Sequence, residues 1–183
     1  MLRCYAHSMI ALLALVLTAP AVASSRAERD AEAYRLSTEI ERLGQKLAWQ
    51  GVERKYVSVM ALHNVQIHTN VHLLGAHAAL TRGDIRTAWE RAQRATSSAE
   101  TPEEVEEAAI WTADFWVNYG EVEVELSVAY TGVATITERD GGSFSPKTSL
   151  ALKHANAQLA ELRMFSGFLP MGRYAVGLSL IHI

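Results

Sequence analysis

Cysteine is almost missing from this chain: Cys4 is the only one in 183 residues. It lies in the leading segment, so the remainder is expected to hold no disulfide, thiolate nucleophile or cysteine metal ligand. Stability must then come from an ordinary hydrophobic core. A basic patch is missing as well, because Lys and Arg are dispersed among acids and the formal net charge is −3. That argues against nucleic acid as a partner. Several chemical signatures are also absent. There is no Gly-x-Ser-x-Gly elbow, no phosphate-cradling glycine loop and no pair of haem cysteines, and Ser145-Pro146-Lys147 has the wrong spacing for a Ser-x-x-Lys pair. No cofactor is expected. An enzyme is the lesser expectation, although catalytic groups scattered along a chain leave no local motif.

What is present begins with an export pattern. Arg3 gives a positive start, residues 9–17 are unbroken apolar sequence, and Pro20 leads into Ala21-Val22-Ala23. This small-x-small ending suits signal peptidase. The apolar run is far short of the ~20 residues that span a bilayer, so residues 1–23 are read as a cleavable signal and the protein as periplasmic or secreted. No transmembrane helix is expected after it. Removing Arg3 leaves 16 basic against 20 acidic side chains, a net charge of about −4.

The other end carries a different mark. Leu178-Ser179-Leu180-Ile181-His182-Ile183 matches the in-frame translation of a transposase adapter end used in DNA library preparation. Residues 178–183 are therefore expected to be an artefact, with native sequence stopping near Gly177 and the β-rich end truncated.

Between these ends the periodicity is helical first. Ala33, Leu36, Ile40, Leu43 and Leu47 make a heptad seam within a helix expected over 26–49. It is expected to pack on a neighbouring helix, with homo-oligomerisation through 33–47 as the alternative. Gly51 breaks the pattern, and 52–80 reads as a second helical stretch, long enough for one continuous helix. Arg82-Gly83-Asp84 is a turn whose Asp84 caps a helix over 85–97. Thr101, Pro102 and Glu104 form N-cap, first helical position and capping box for a helix to about Asn118, with Gly120 at its exit.

The period then changes to two. Val122, Val124, Leu126, Val128 and Tyr130 alternate with Glu123, Glu125, Ser127 and Ala129, the mark of a strand with one buried face. Residues 133–137 read as a second strand and Asp140-Gly141-Gly142-Ser143 as a flexible loop. A helix over 146–163 buries Leu152, Ala155, Leu159 and Leu162. Residues 165–168 and 173–176 are short strands around Leu169-Pro170-Met171-Gly172. The fold class is α+β: a helical region over 24–118 and a β-rich region over 119–177 with one inserted helix.

Two segments resemble known families. Leu74-Gly75, Gly83-Asp84, Ala88, Ala92 and Ala95, with Trp49, Val52 and Tyr56 before them, resemble a degenerate tetratricopeptide (TPR-like) unit. The resemblance implies a helical hairpin array whose small residues allow close packing. Leu169-Pro170-x-Gly172-x-Tyr174-x-Val176 resembles the final hairpin of PEGA-type and carboxypeptidase-regulatory-type sandwiches. It implies a partial antiparallel β-sandwich that is generally non-catalytic. The layout is similar to that of exported proteins of soil bacteria.

Two constellations could carry chemistry. His63, His68, His72 and His77 crowd one stretch. In a straight helix His68 and His72 lie about 40° apart, with the other two on the opposite face. His68 and His72 are the pair a metal or metalloenzyme site would use, but Thr69 stands where a zincin has its Glu. Structural or surface histidines are the expected reading. Trp111, Phe115 and Tyr119 form an aromatic stripe at helical spacing, expected to be core, though an exported protein could stack sugars or peptide side chains on it.

The sequence thus leads to a non-catalytic exported adaptor that binds a protein or an envelope polymer. Leu74, Ala78, Trp89, Trp111, Phe115 and Tyr119 are its candidate binding residues, and a bound peptide is expected along the helices around Leu74 to Ala95.

Overall fold

Ser25 and Glu28 start the first helix reciprocally. The Glu28 N–H donates to the Ser25 hydroxyl at 3.2 Å, and the Ser25 N–H donates to the Glu28 carboxylate at 2.7 Å. The structure, a computed structural model, describes residues 25–139 and 145–179. The segment read as a signal, the loop at 140–143 and residues 180–183 of the adapter-like end lie outside the described residues. No described helix is long and apolar enough to cross a membrane.

Helix α1 (Arg26–Gln45) buries Ala33, Leu36 and Ile40 against α2 (Trp49–Met60) and α3 (Thr69–Thr81). The heptad seam is therefore covered within the chain, and these residues are not free to pair with a second copy. Its last member departs from expectation: Leu47 lies beyond the helix, at φ 53°, and is 68% exposed. The helix breaks at 46–48 and not at Gly51, which sits inside α2. A Cβ there would stand 3.2 Å from the Leu43 methyls, so Gly51 allows the two helices to approach.

The stretch expected as one helix over 52–80 is two. Residues 61–68 interrupt it, turning at Asn64, whose φ of 58° is left-handed, a conformation that asparagine tolerates. Ile67 is buried and anchors this connection in the same core as Val52, Tyr56 and Val71. Helices α3 and α4 (Ile85–Ser98) then form a hairpin sealed by Ala76, Ala79, Ala88 and Ala92, all essentially inaccessible. Gly83 makes the turn at φ 76°, and Asp84 Oδ1 accepts the Thr87 N–H at 3.1 Å. Helix α5 (Pro102–Asn118) starts with the expected capping box, the Glu104 N–H donating to Thr101 Oγ1 at 3.2 Å.

Tyr119 is at once the cap of α5 and the first residue of β1 (Tyr119–Glu125). The alternation of buried and exposed residues holds to Leu126 and then stops. Residues 127–130 form a turn with Val128 97% exposed. Strand β2 (Val133–Glu138) follows, then α6 (Pro146–Leu162), β3 (Met164–Pro170) and β4 (Tyr174–Ser179). Within α6, Ala151, Ala155 and Leu159 are buried, whereas Leu162 is 60% exposed.

The strand pairing corrects the expected terminal hairpin. β3 and β4 do not pair with each other: β1 pairs with β3, from Tyr119 opposite Pro170 to Glu125 opposite Met164, and β2 pairs with β4. Both ladders are antiparallel. The Met171 N–H donates to the Asn118 carbonyl at 2.8 Å, so the turn between β3 and β4 closes onto the end of α5. Strand β4 also runs beyond Val176, with Leu178 opposite Ala134 and Ser179 opposite Val133.

Helix α6 packs across both ladders. Asn156 serves both backbone groups of Ile136, accepting its N–H at 2.6 Å and donating to its carbonyl at 3.0 Å. Past the helix, Arg163 turns left-handed and donates to the carbonyls of Ser127 and Tyr130, pinning the β1–β2 turn. The described residues thus form a mixed α+β fold of six helices, mostly N-terminal, and two small two-stranded sheets. One apolar cluster bridges the segments: Ile85 and Phe115 pack with Ala155, Leu159, Phe165 and Phe168. Arg86 adds a polar tie, donating to the Ser166 carbonyl and hydroxyl at 2.9 Å each.

Candidate functional site

Helix α5 carries residues 111 and 115 one turn apart, and the direct step into β1 keeps residue 119 in line with them. Trp111 and Phe115 stack with centroids 5.6 Å apart, and Phe115 meets Tyr119 at 4.9 Å. Phe115 is 2% exposed and holds the ladder in the core, whereas Trp111 and Tyr119 are half-buried. The expected core role is therefore right for Phe115. Its two neighbours each keep one side open, and what they open onto is a cleft of about 430 Å³, within the size range of small-ligand sites.

The cleft is built from five elements, α3, α5, β1, β3 and α6. The aromatic ladder makes one wall, and Pro170 and Met171 at the end of β3 make another. Met171 is held there by its backbone bond to Asn118 and reaches over Gly120, where a Cβ would be 3.5 Å from its sulfur. His77 from α3, Asp114 from α5 and Lys147 from α6 add polar groups around the ladder.

His77 lies between two indoles, 5.8 Å from Trp49 and 6.4 Å from Trp111, the latter edge-on. Partial desolvation beside these rings, and then the Lys147 cation, lower its pKa below the ordinary histidine value, although the imidazole keeps an exposed edge. It is therefore a neutral imidazole at pH 7, able both to donate and to accept a hydrogen bond. Burial also raises the Tyr119 phenol pKa, so that group stays a neutral donor. The arrangement offers an aromatic wall for stacking, one carboxylate, one ammonium and several neutral hydrogen-bonding groups, with Asn118, Ser145 and Thr148 beside His77 and Tyr119.

A second polar cluster lies between α2, α3 and α4. Arg91 is only 6% exposed, and its guanidinium holds Glu53 bidentately at 2.5 and 2.9 Å. It also donates to the Gly75 carbonyl at 2.8 Å and lies 4.3 Å from the Tyr56 ring centroid. Arg82 adds a second contact to Glu53 at 3.1 Å. This is a filled interior network.

The sequence candidates separate accordingly. His72 is buried in the second cluster, His68 is the exposed N-cap of α3, His63 lies on the 61–68 connection, and His77 borders the cleft. His68 and His72 do not share an open face. Among the described residues no group of three His, Cys, Asp or Glu side chains is placed to hold a metal ion. Ala78 is 1% exposed and Leu74 packs on Gly44, so neither offers a binding surface. Along the peptide path expected around Leu74 to Ala95, the small residues Ala76, Ala79, Ala88 and Ala92 are buried between α3 and α4. Trp89 lines a separate groove between α4 and α5.

Only Trp111, Phe115 and Tyr119 of the expected binding residues meet at the cleft. Asp114, Lys147 and Met171 were not foreseen. Lys147 follows the Pro146 that marks a helix start, but nothing local indicates what that start faces. No protein-family profile, curated protein or solved structure matches this chain.

Proposed function

We propose that this chain is a non-catalytic, exported binding protein of the bacterial envelope that holds a segment of a protein or an envelope polymer in the α5 cleft. The observation carrying this reading is the half-open aromatic ladder. Trp111 and Tyr119 are anchored by the fully buried Phe115 yet keep faces toward a cleft with Asp114, Lys147 and neutral His77 around it. Rigid aromatic faces stack on sugar rings or apolar side chains, while the mixed polar groups fix orientation without selecting strongly for one charge. The export pattern of residues 1–23 supports placing this binding outside the cytoplasm.

Titration of tryptophan fluorescence with a peptidoglycan disaccharide–tetrapeptide, and separately with an unfolded carboxymethylated protein, tests the reading. One of the two probes should quench saturably. Trp111→Ala should weaken that probe about tenfold or more. Met171→Arg should do the same by filling the cleft from a side chain that is 61% exposed and outside the core. Failure of both probes to bind, or equal binding by the Met171→Arg protein, would remove the cleft from the function.

A further inference from the structure

On the other side of α5 the helix is unpartnered. Val105 and Trp116, on the face of α5 that carries Ala109 and Ala113, are 51% and 47% exposed. Beside it, between α4 and α5, runs a groove of about 600 Å³ with Trp89, Gln93, Thr96, Ala109, Thr112 and Ala113 along it. Trp89 and Trp116 meet edge-to-face at 5.0 Å at one end. Exposed apolar side chains beside an open groove mark a candidate contact surface.

The charge around the groove narrows the occupant. From Ala95 to Glu138 the sequence contains ten acidic residues, half of those in the chain, and no Lys, Arg or His. Glu103, Glu106 and Glu107 on α5 are exposed, and no ion pair within the described residues involves them. Glu104 is committed to the helix cap. The helix end accounts for acids in the first turn, but Glu106 and Glu107 lie beyond it. The cations of α4 do not neutralise this side: Arg86 is bound to Ser166, Arg91 to Glu53, and Arg94 lies toward Tyr56 on the α2 side.

We propose that the α4–α5 groove is a docking site for a cationic, apolar-studded segment of a partner protein. Apolar side chains of that segment fill the groove along Ala109 and Ala113. Its Lys or Arg side chains meet the carboxylate of Glu106, one turn before Ala109 on the same face of α5, and one can lie on the faces of Trp89 or Trp116. This surface is separate from the cleft on which the proposed function rests.

A fluorescein-labelled amphipathic lysine–leucine peptide, followed by anisotropy, tests it. Binding should be clear in about 50 mM salt and at least about tenfold weaker in about 500 mM, since screening shortens the reach of the carboxylates. Ala109→Arg, at an exposed helical position, should weaken binding about tenfold or more. Val128→Arg makes the same change in charge on the β1–β2 turn and should alter it less than about threefold. Glu106→Lys gives the same reading as Ala109→Arg without entering the groove, and Trp111→Ala in the cleft should leave this peptide bound. The proposal is overturned by absent binding at low salt, by equal losses in Ala109→Arg and Val128→Arg, or by equal binding of a glutamate–leucine peptide. It is also overturned by a concentration-dependent dimer that Ala109→Arg dissolves, since the occupant would then be a second copy.

Discussion

The hydroxyl of Tyr56 and Nδ1 of His72 lie 2.9 Å apart in an interior where Tyr56 is 2% and His72 5% exposed. One comes from α2, the other from α3, and Arg91 of α4 covers the phenol ring. Three helices therefore meet on one hydrogen-bonded pair. A glycine is needed to let it form: a Cβ on Gly75 would stand 2.5 Å from the Tyr56 ring.

Acid should loosen this helical layer. Burial, followed by the Arg94 and Arg91 cations, lowers the His72 pKa from 6.5 to about 4. The unfolded chain thus binds more protons between those values. The stability contributed by neutral His72 is fully present above about pH 6.5 and is lost as pH falls toward 4. Its size is on the order of 3 kcal/mol. Glu53, held below the carboxylate range by its bond to Arg91, adds a loss in the same direction at lower pH. Urea melts of wild type and His72→Gln between pH 7.5 and 4 measure this. The variant should show a shallower decline, and parallel curves would show that His72 does not set the acid limb.

Arg91→Ala should be among the most damaging substitutions in the chain. It strands the Glu53 carboxylate and the Gly75 carbonyl and uncovers Tyr56, at a cost of about 3 kcal/mol. Arg82 stays 3.1 Å from Glu53, which keeps the loss from being larger. Arg91→Met combined with Glu53→Gln should recover part of it, because the unpaired charge is gone. A double variant no more stable than Arg91→Ala would sink this account.

Gly83→Ala should destabilise by more than about 1 kcal/mol. The residue sits at φ 76°, and a Cβ would be 2.5 Å from the Leu150 carbonyl carbon of α6. Both costs act at one site, so the turn and the docking of α6 should suffer together. A thermal midpoint equal to wild type would mean that α6 stands farther from this turn.

The parts of the fold that depend on neighbours in sequence were legible. Thr101 and Glu104, or Asp84 and Thr87, are three residues apart and need only each other. The β1 alternation was legible as far as the sheet extends. The break at 61–68 was not, because its turn uses Asn64 without a glycine or proline to mark it. Strand pairing also stayed hidden: residues 165–168 can close a hairpin with 173–176 or pair with β1, and the choice depends on where α6 and α5 end. The cleft draws residues from five elements, and only the aromatic ladder carries a periodic signal. Basic residues read as evenly dispersed are in truth missing from 95–138, a feature visible only over more than forty residues.

Val124→Asp should cost about 2 kcal/mol. Val124 faces Phe165 across the β1–β3 ladder and packs, half-buried, on the bridging core. An aspartate there would stand unpaired against that core and between Glu123 and Glu125. Thermal unfolding followed by near-ultraviolet circular dichroism reads the loss, and an unchanged melt would place this face of β1 in water.

The passage from α5 to β1 through Tyr119, with no linking residues, bears on how the chain can be inherited. Helical layers spread readily between genes when their ends are slack and their cores self-contained. Here Phe115 is held by Tyr119 and Phe168 as much as by Trp89, with centroids 4.9, 5.0 and 4.7 Å away. A recombination that imported the helices alone would leave that ring without two of its partners. Phe115 thus couples the end of the helical half to the strands, and a change on either side is felt at this ring.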